Sequence, residues 1–141
     1  MDCFLCQKHQ SQVAPPPGGY IYAGEHWLIC HAPIDKGPLG TLFIESRRHF
    51  LDFAEADPDE LAIYGPLLKQ TYSVLKSLTG AERVYQVVLL EGIPHFHAWL
   101  VPRRKEDVER GVPFLSKDVV SEQAEAEKLA VALRSALNQA M

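Results

Sequence analysis

The sequence predicts an α+β domain in which an antiparallel sheet of about five strands carries one long inserted helix and one C-terminal helix. Short β-prone segments lie between residues 20 and 46 and again between 84 and 103. A segment with helical periodicity separates these two groups, and a second amphipathic segment follows them at about 121–140. The 141 residues are enough to bury a core, and we expect one domain over residues 1–141.

Three strands are predicted in the first half of the chain. Tyr20–Ala23 and His26–His31 are rich in β-prone residues, and Gly24-Glu25 between them predicts a hairpin turn. A loop with two prolines leads to the third strand, Gly40–Ser46, which ends at Arg47-Arg48-His49.

The inserted helix has a clear start and a clear end. Asp57 is a capping residue, Pro58 suits the first helical position, and Glu60 completes a capping box. Gly80 is expected to end the helix, and Gly65-Pro66 predicts a kink or two abutting helices. A short helical segment is expected around Phe50–Ala54. The predicted apolar stripe is Leu61, Tyr64, Leu68, Tyr72, Leu75 and Leu78.

The last two strands are predicted at Val84–Leu90 and Ile93–Arg103, joined as a hairpin through Glu91-Gly92. Side chains alternate between the two faces of a strand. The second strand therefore places Phe96, Ala98 and Leu100 against a core. Its other face presents His95, His97, Trp99 and Val101. The C-terminal helix is predicted to bury Ala126, Leu129, Ala130, Leu133 and Leu137.

Composition and charge argue against several classes of protein. The formal net charge is −4, so a basic field for a nucleic-acid polymer is not expected. No stretch is apolar and long enough for a membrane span, and the N-terminus lacks signal-peptide features. We expect a cytoplasmic protein with a small-molecule ligand.

Three cysteines do not suggest a disulfide framework. Cys30 lies in an apolar run and is predicted to be a small buried side chain. Cys3 and Cys6 form a C-x-x-C motif, which fits half of a zinc site or a redox pair. No strand can precede Cys3 as a thioredoxin-like motif would require, so zinc is the favoured interpretation.

His95-Phe96-His97-Ala98-Trp99-Leu100-Val101 resembles the motif of the histidine triad family, in which histidines alternate with hydrophobic residues three times. Two histidine positions match, and Trp99 occupies the third. The resemblance spans about Cys3 to Arg103, whereas the C-terminal helix lies outside it.

The resemblance implies a nucleotide hydrolase or nucleotidyl transferase. His97 would attack the α-phosphorus of a dinucleoside polyphosphate or a nucleoside phosphoramidate through a covalent nucleotidyl-histidine. It also implies a homodimer. Candidate substrate contacts are His95, Trp99, Glu91, Gly92 and Arg103.

Family members with a C-x-x-C carry a structural zinc, and the matching ligands here are Cys3, Cys6, His49 and His95. His9 is a rival for one ligand position. We interpret His26 and His31 as strand or turn residues without a partner.

Several departures from the family pattern favour an alternative, a nucleotide-binding or regulatory module without turnover. Trp99 cannot carry a proton to a leaving group. Glu91-Gly92 replaces a Gln-Ser/Thr pair that contacts phosphate, and Ala32, with Asp35 only nearby, falls where an acidic residue usually binds ribose.

Some charged and aromatic residues have two interpretations. Arg103 to Lys105 and Arg47-Arg48 fit phosphate contacts, but a solvated loop explains them better. Trp27 and Phe43 fit either a base pocket or ordinary core packing.

Overall fold

A computed structural model describes residues 3–141. The four α-helices are α1 (Phe4–His9), α2 (Pro58–Thr79), α3 (Val112–Leu115) and α4 (Gln123–Ala140), and a 3₁₀ turn covers Phe53–Glu55. The strands are β1 (Tyr22–Ala23), β2 (Trp27–His31), β3 (Leu42–Ser46), β4 (Ala81–Val87) and β5 (His97–Arg104). The predicted α+β class is confirmed. Among these residues no helix is both long and apolar enough to cross a membrane.

The five strands form one antiparallel sheet in the order β1-β2-β3-β5-β4. Its core face carries Ile29, Ile44, Ala98 and Leu100, all fully buried beneath α2 and α4. Its opposite face, which we call the site face, carries Cys30, Phe43, Glu45, His97 and Trp99, because residues paired across strands point to one side. Helix α1 lies against the site face through Lys8 and His9, which bond to Glu45.

Helix α2 begins and ends where the sequence predicts. The carboxylate of Glu60 accepts a hydrogen bond from the Asp57 N–H at 2.8 Å, and Gly80 adopts the left-handed conformation with φ of 71°. Residues 58–79 form a single helix that continues through Pro66, so two abutting helices are wrong.

The predicted apolar stripe of α2 is partly wrong. The buried stripe contains Tyr64, Leu67, Thr71 and Leu75, whereas Leu61 and Leu78 are exposed. Thr71 can occupy a core position because its hydroxyl donates to the Leu67 carbonyl at 2.7 Å, which satisfies the polar group locally. Hydrophobic periodicity does not reveal such a threonine.

The strands near the histidines are shifted from their predicted bounds. Strand β4 starts directly after Gly80 and stops before Leu90, whose φ of 59° does not suit a strand. Strand β5 starts at His97, so His95 precedes the strand instead of lying in it. Pro94 has no N–H to donate to a neighbouring strand, and residues 91–95 form bends. The inward orientation of Phe96, Ala98 and Leu100 is confirmed.

Helix α4 is joined to the rest of the core by its buried face. Ala126, Ala130, Leu133 and Leu137 are buried as predicted, and Leu129 is partly buried. The guanidinium of Arg134 donates to the Tyr20 carbonyl at 2.8 Å and also to the Gly18 carbonyl. A side chain on Gly18 would meet the Glu127 backbone at 2.8 Å, so a glycine is needed at this approach.

We propose that the chain, α4 included, unfolds as one domain. Replacing the fully buried Leu133 by Ala should lower the free energy of unfolding by about 2–5 kcal/mol, because it removes contacts and leaves a cavity. Val131→Ala on the exposed side of α4 should change it by less than about 0.5 kcal/mol. Urea unfolding followed by circular dichroism and by tryptophan fluorescence measures both. Two separate transitions would contradict a single domain.

Candidate active site and metal centre

Two thiols and two imidazoles meet at the start of α1. Cys3, Cys6, His49 and His95 each offer one ligand atom, and all four atoms lie within 4.8 Å of one another. The shortest separation is 3.2 Å, between the Nδ1 atoms of His49 and His95. Cys3 Sγ lies 3.4 Å from His95 Nδ1, and Cys6 Sγ lies 3.4 Å from His49 Nδ1. Ligand atoms of a tetrahedral zinc site are separated by about 3.3–3.8 Å, as bonds of 2.0–2.3 Å require. The donor set and its spacing therefore fit zinc.

His95 is oriented for such a role by the backbone. Its Nε2–H donates to the Ser46 carbonyl at 2.7 Å, which leaves the lone pair of Nδ1 directed at the two thiols and at His49. Burial lowers the pKa of His95, and this favours the neutral imidazole that a metal requires. Burial and the neighbouring Cys3 raise the pKa of the Cys6 thiol, so ionising both thiols needs a compensating cation.

His97 lies next to this cluster at the start of β5. Its Nδ1–H donates to the His95 carbonyl at 2.8 Å, and the ring is partly exposed on the site face. This bond fixes the tautomer and leaves the Nε2 lone pair unused. A nucleophilic imidazole needs this arrangement.

Aromatic rings border His97 on the site face. The ring centroid of Phe43 lies 6.2 Å from that of His97 and 4.7 Å from that of Trp99, edge to face in both pairs. Phe43 therefore packs beside the histidine. Trp27, in contrast, is fully buried on the core face, where its indole N–H donates to the Glu60 carbonyl at 2.9 Å. Core packing is the correct interpretation for Trp27.

Glu45 is a site-face residue that sequence reasoning missed. It pairs with His97 across the two strands, and its side chain is completely buried. The Lys8 ammonium donates to one carboxylate oxygen at 2.6 Å, and His9 Nε2 lies 2.8 Å from the other. Lys8 also donates to the Cys30 thiol at 3.1 Å. We call Lys8, His9, Cys30 and Glu45 the Glu45 network.

The charges of this network depend on each other. Burial alone would raise the pKa of Glu45, but His9 and Lys8 lower it below its usual value. Burial alone would lower the pKa of Lys8, but Cys30 and Glu45 raise it. Burial, followed by the charge of Glu45, raises the pKa of Cys30 to about 12. At neutral pH the network therefore contains a buried ion pair and a neutral thiol.

Two histidines differ from their predicted environment. His9 bonds Glu45 and is not one of the four clustered ligands, although its ring lies edge to face against His95 at 5.4 Å. His31 does have partners: its Nδ1–H donates to the Ala32 carbonyl at 2.7 Å, and its Nε2 accepts from the Gly40 N–H at 2.9 Å.

The remaining candidate residues lie in the bends before His95, farther along β5 and near the start of α2. Glu91 and Gly92 are exposed in the bends before His95. Arg103 is six residues along β5, buried and paired with Glu82 at 2.9 Å, so the prediction of a solvated loop is wrong for it. Arg48 pairs with Glu60 at 2.9 Å near the start of α2.

No protein-family model matches this chain, and no curated protein matches it. Solved structures do. A hypothetical histidine triad nucleotide-binding protein from Sulfolobus tokodaii has a TM-score of 0.77 at 18% identity, with 97% of this chain and 93% of that chain covered. A zinc-bound histidine triad protein from Mycobacterium smegmatis has a TM-score of 0.76 at 22% identity, with 100% and 99% covered. The chain has the histidine triad fold.

A more distant match is the diadenosine triphosphate hydrolase of Plasmodium falciparum, solved with cyclomarin A. Its TM-score is 0.65 at 13% identity, with 85% of this chain and 76% of that chain covered. The fold is thus found both in proteins named for nucleotide binding and in a named hydrolase. At these identities the likeness establishes the fold.

We expect the Glu45 network to stabilise the docking of α1. Glu45→Gln should lower the free energy of unfolding by about 1–3 kcal/mol, because it leaves the buried ammonium of Lys8 without its counter-charge. The exposed Glu25→Gln is the matched control and should change it by less than about 0.5 kcal/mol.

Urea unfolding of the zinc-loaded proteins at pH 7 gives both values. Adding Lys8→Met to Glu45→Gln should recover part of the loss, since the unpaired charge is then removed. Equal stabilities of Glu45→Gln and Glu25→Gln would contradict a stabilising network.

Proposed function

We propose that the protein is a nucleotide hydrolase or nucleotidyl transferase in which His97 is the nucleophile. The observation that carries the proposal is the Nδ1–H bond of His97 to the His95 carbonyl, which leaves Nε2 as the free basic nitrogen. This nitrogen would attack the α-phosphorus, forming a P–N bond while the bond to the leaving group breaks. Water or another acceptor would then break the P–N bond and release the nucleotide.

Trp99, which occupies the third histidine position of the motif, favours one class of substrate. Trp99 has an indole N–H but no proton that it can give up to a leaving group. A nucleoside polyphosphate departs as an anion that solvent stabilises, whereas an amine must gain a proton. We therefore propose that a dinucleoside polyphosphate is turned over faster than a nucleoside phosphoramidate.

We also propose that Cys3, Cys6, His49 and His95 bind one structural zinc ion. The zinc would join the start of α1 to the end of β3 and the start of β5, as a closed four-ligand site does. It would supply no group to the reaction. The homodimer implied by the resemblance and the cytoplasmic location expected from the sequence remain predictions.

The alternative function is nucleotide binding without turnover. The exposed Glu91 and Gly92, which stand where the family has a Gln-Ser/Thr pair, favour it, because a carboxylate repels phosphate. The test of the nucleophile separates the two functions.

Release of AMP from diadenosine tetraphosphate and from adenosine phosphoramidate tests the enzyme directly. Wild type should release AMP, and His97→Ala should reduce kcat by at least about 10³-fold, since no other group can form the covalent intermediate. His26→Ala is the control. It removes a partly buried imidazole from the turn between β1 and β2 and should keep full activity.

Wild type that is incubated with α-phosphate-labelled substrate and then quenched in alkaline denaturant should carry a labelled histidine that His97→Ala lacks. If wild type binds nucleotide but releases no AMP from either substrate, the hydrolase proposal is wrong and the binding module is correct.

Zinc binding has its own measurement. Elemental mass spectrometry of the purified protein should give about one zinc per chain, and Cys6→Ser should reduce this value severalfold, because a thiolate ligand is lost. Cys30→Ser, which alters a buried thiol outside the cluster, should leave the zinc content unchanged. A chelator should lower the melting temperature of wild type. Equal zinc contents of the two variants would contradict the assignment of Cys6.

A further inference from the structure

The two thiols of the metal cluster lie on one turn of the chain. Cys3 caps the N-terminus of α1, and Cys6 lies three residues farther along that helix. The Cys6 N–H donates to Cys3 Sγ at 3.4 Å, and both sulfur atoms belong to the ligand atoms that lie within 4.8 Å of one another. Because the two side chains share one turn, a disulfide between them needs side-chain rotation but no change in the sheet.

The two thiols differ in their exposure to solvent. Cys3 is only 2% exposed, whereas Cys6 is half-buried and contacts the exposed His49. An oxidant from solvent therefore reaches Cys6 before it reaches Cys3. A bound metal keeps both thiols as thiolates, and the thiolate is the form that oxidants attack. A sulfenic acid formed at an accessible cysteine condenses with a neighbouring thiol to give a disulfide.

The third cysteine of the chain is separate from this pair. Cys30 is fully buried and is not one of the four clustered ligands. Its thiol accepts a hydrogen bond from the Lys8 ammonium at 3.1 Å. Oxidation to a disulfide is therefore expected between Cys3 and Cys6 alone.

Helix α1 has a second attachment to the sheet that involves neither of these thiols. Lys8 and His9 bond to the buried Glu45 at 2.6 and 2.8 Å. The His95 imidazole also keeps its own bond to the Ser46 carbonyl at 2.7 Å. Loss of the two thiolates thus leaves α1 docked and the His95 ring in place.

We propose that Cys3 and Cys6 form a peroxide-sensitive switch that releases the proposed zinc ion while the domain stays folded. The Cys6 thiolate attacks one oxygen of the peroxide, and the O–O bond breaks to give a sulfenic acid and hydroxide. The Cys3 thiolate then attacks the Cys6 sulfur, forming the S–S bond and expelling a second hydroxide. Two protons convert the hydroxides into water, so the two thiolates lose two electrons and one peroxide gains them.

The disulfide removes half of the ligand set. It offers no thiolate, and His49 and His95 alone do not complete a tetrahedral zinc site. A thiol reductant restores both thiolates and therefore restores zinc binding. The inference rests on the proposed zinc ion and is independent of the proposed reaction at His97.

Treatment of the purified protein with hydrogen peroxide tests the switch. A chromogenic zinc indicator should record the release of about one zinc per chain. Alkylation after denaturation with a chelator should modify all three cysteines before treatment and only Cys30 after it. Peptide mapping should find the disulfide between Cys3 and Cys6. Dithiothreitol with added zinc should restore the original zinc content.

Two variants serve as controls for zinc release. Cys30→Ser alters a thiol outside the cluster and should release zinc at the wild-type rate. His97→Ala removes the proposed nucleophile, which is not one of the clustered ligands, and should also release zinc at the wild-type rate.

Hydrogen exchange tests the second attachment of α1. The Gln7 N–H donates to the Cys3 carbonyl at 3.0 Å, and this amide should keep its protection in oxidised wild type. In oxidised Glu45→Gln it should exchange at least about tenfold faster, because both attachments of α1 are then weakened. Glu25→Gln is the matched control and should behave as wild type.

The outcomes separate this inference from the zinc proposal. Zinc that peroxide does not release, or release with Cys6 oxidised to a sulfinic acid, would overturn the switch and leave the zinc site in place. A disulfide between two chains, or one that includes Cys30, would do the same. Loss of α1 protection in oxidised wild type would contradict a domain that stays folded. Untreated protein without zinc would overturn both proposals.

Discussion

The burial of the Glu45 carboxylate is the constraint on which the site face depends. A fully buried carboxylate is unfavourable unless cations and hydrogen bonds compensate it. Both compensating groups, Lys8 and His9, belong to α1, so this short helix must lie over β3. That position brings Cys3 and Cys6 to the two imidazoles at the end of the sheet. The proposed metal centre and the buried ion pair would thus stabilise the same docking of α1.

The docked helix also determines the surroundings of His97. Glu45 pairs across the strands with His97, so the compensated carboxylate borders the proposed nucleophile on one side. The carbonyl that accepts from His97 belongs to His95, whose own ring is directed into the metal cluster. The position of the proposed nucleophile is therefore set by the backbone of a proposed metal ligand.

Local sequence signals predicted much of this arrangement. Alternation gave the inward residues of β5, Asp57 and Gly80 marked the ends of α2, and the C-x-x-C indicated the metal cluster. The signals failed where distant partners decide the outcome. A glutamate within an apolar strand indicates nothing until Lys8 is known to lie above it, and Arg103 is buried only because Glu82 on the neighbouring strand neutralises it. Thr71 was missed because its partner, the Leu67 carbonyl, is supplied by the backbone.

The loop between β2 and β3 is held from several directions. His31 donates to the Ala32 carbonyl and accepts from the Gly40 N–H, so one imidazole bridges the two ends of the loop. This bridge requires a neutral ring. Burial lowers the pKa of His31, and this favours the neutral form. The Ser121 N–H donates to the Ile34 carbonyl at 2.9 Å, which joins the loop to the chain just before α4. Asp35, next in sequence to Ile34, therefore lies on a loop that is fixed at both ends and joined to the segment leading to α4.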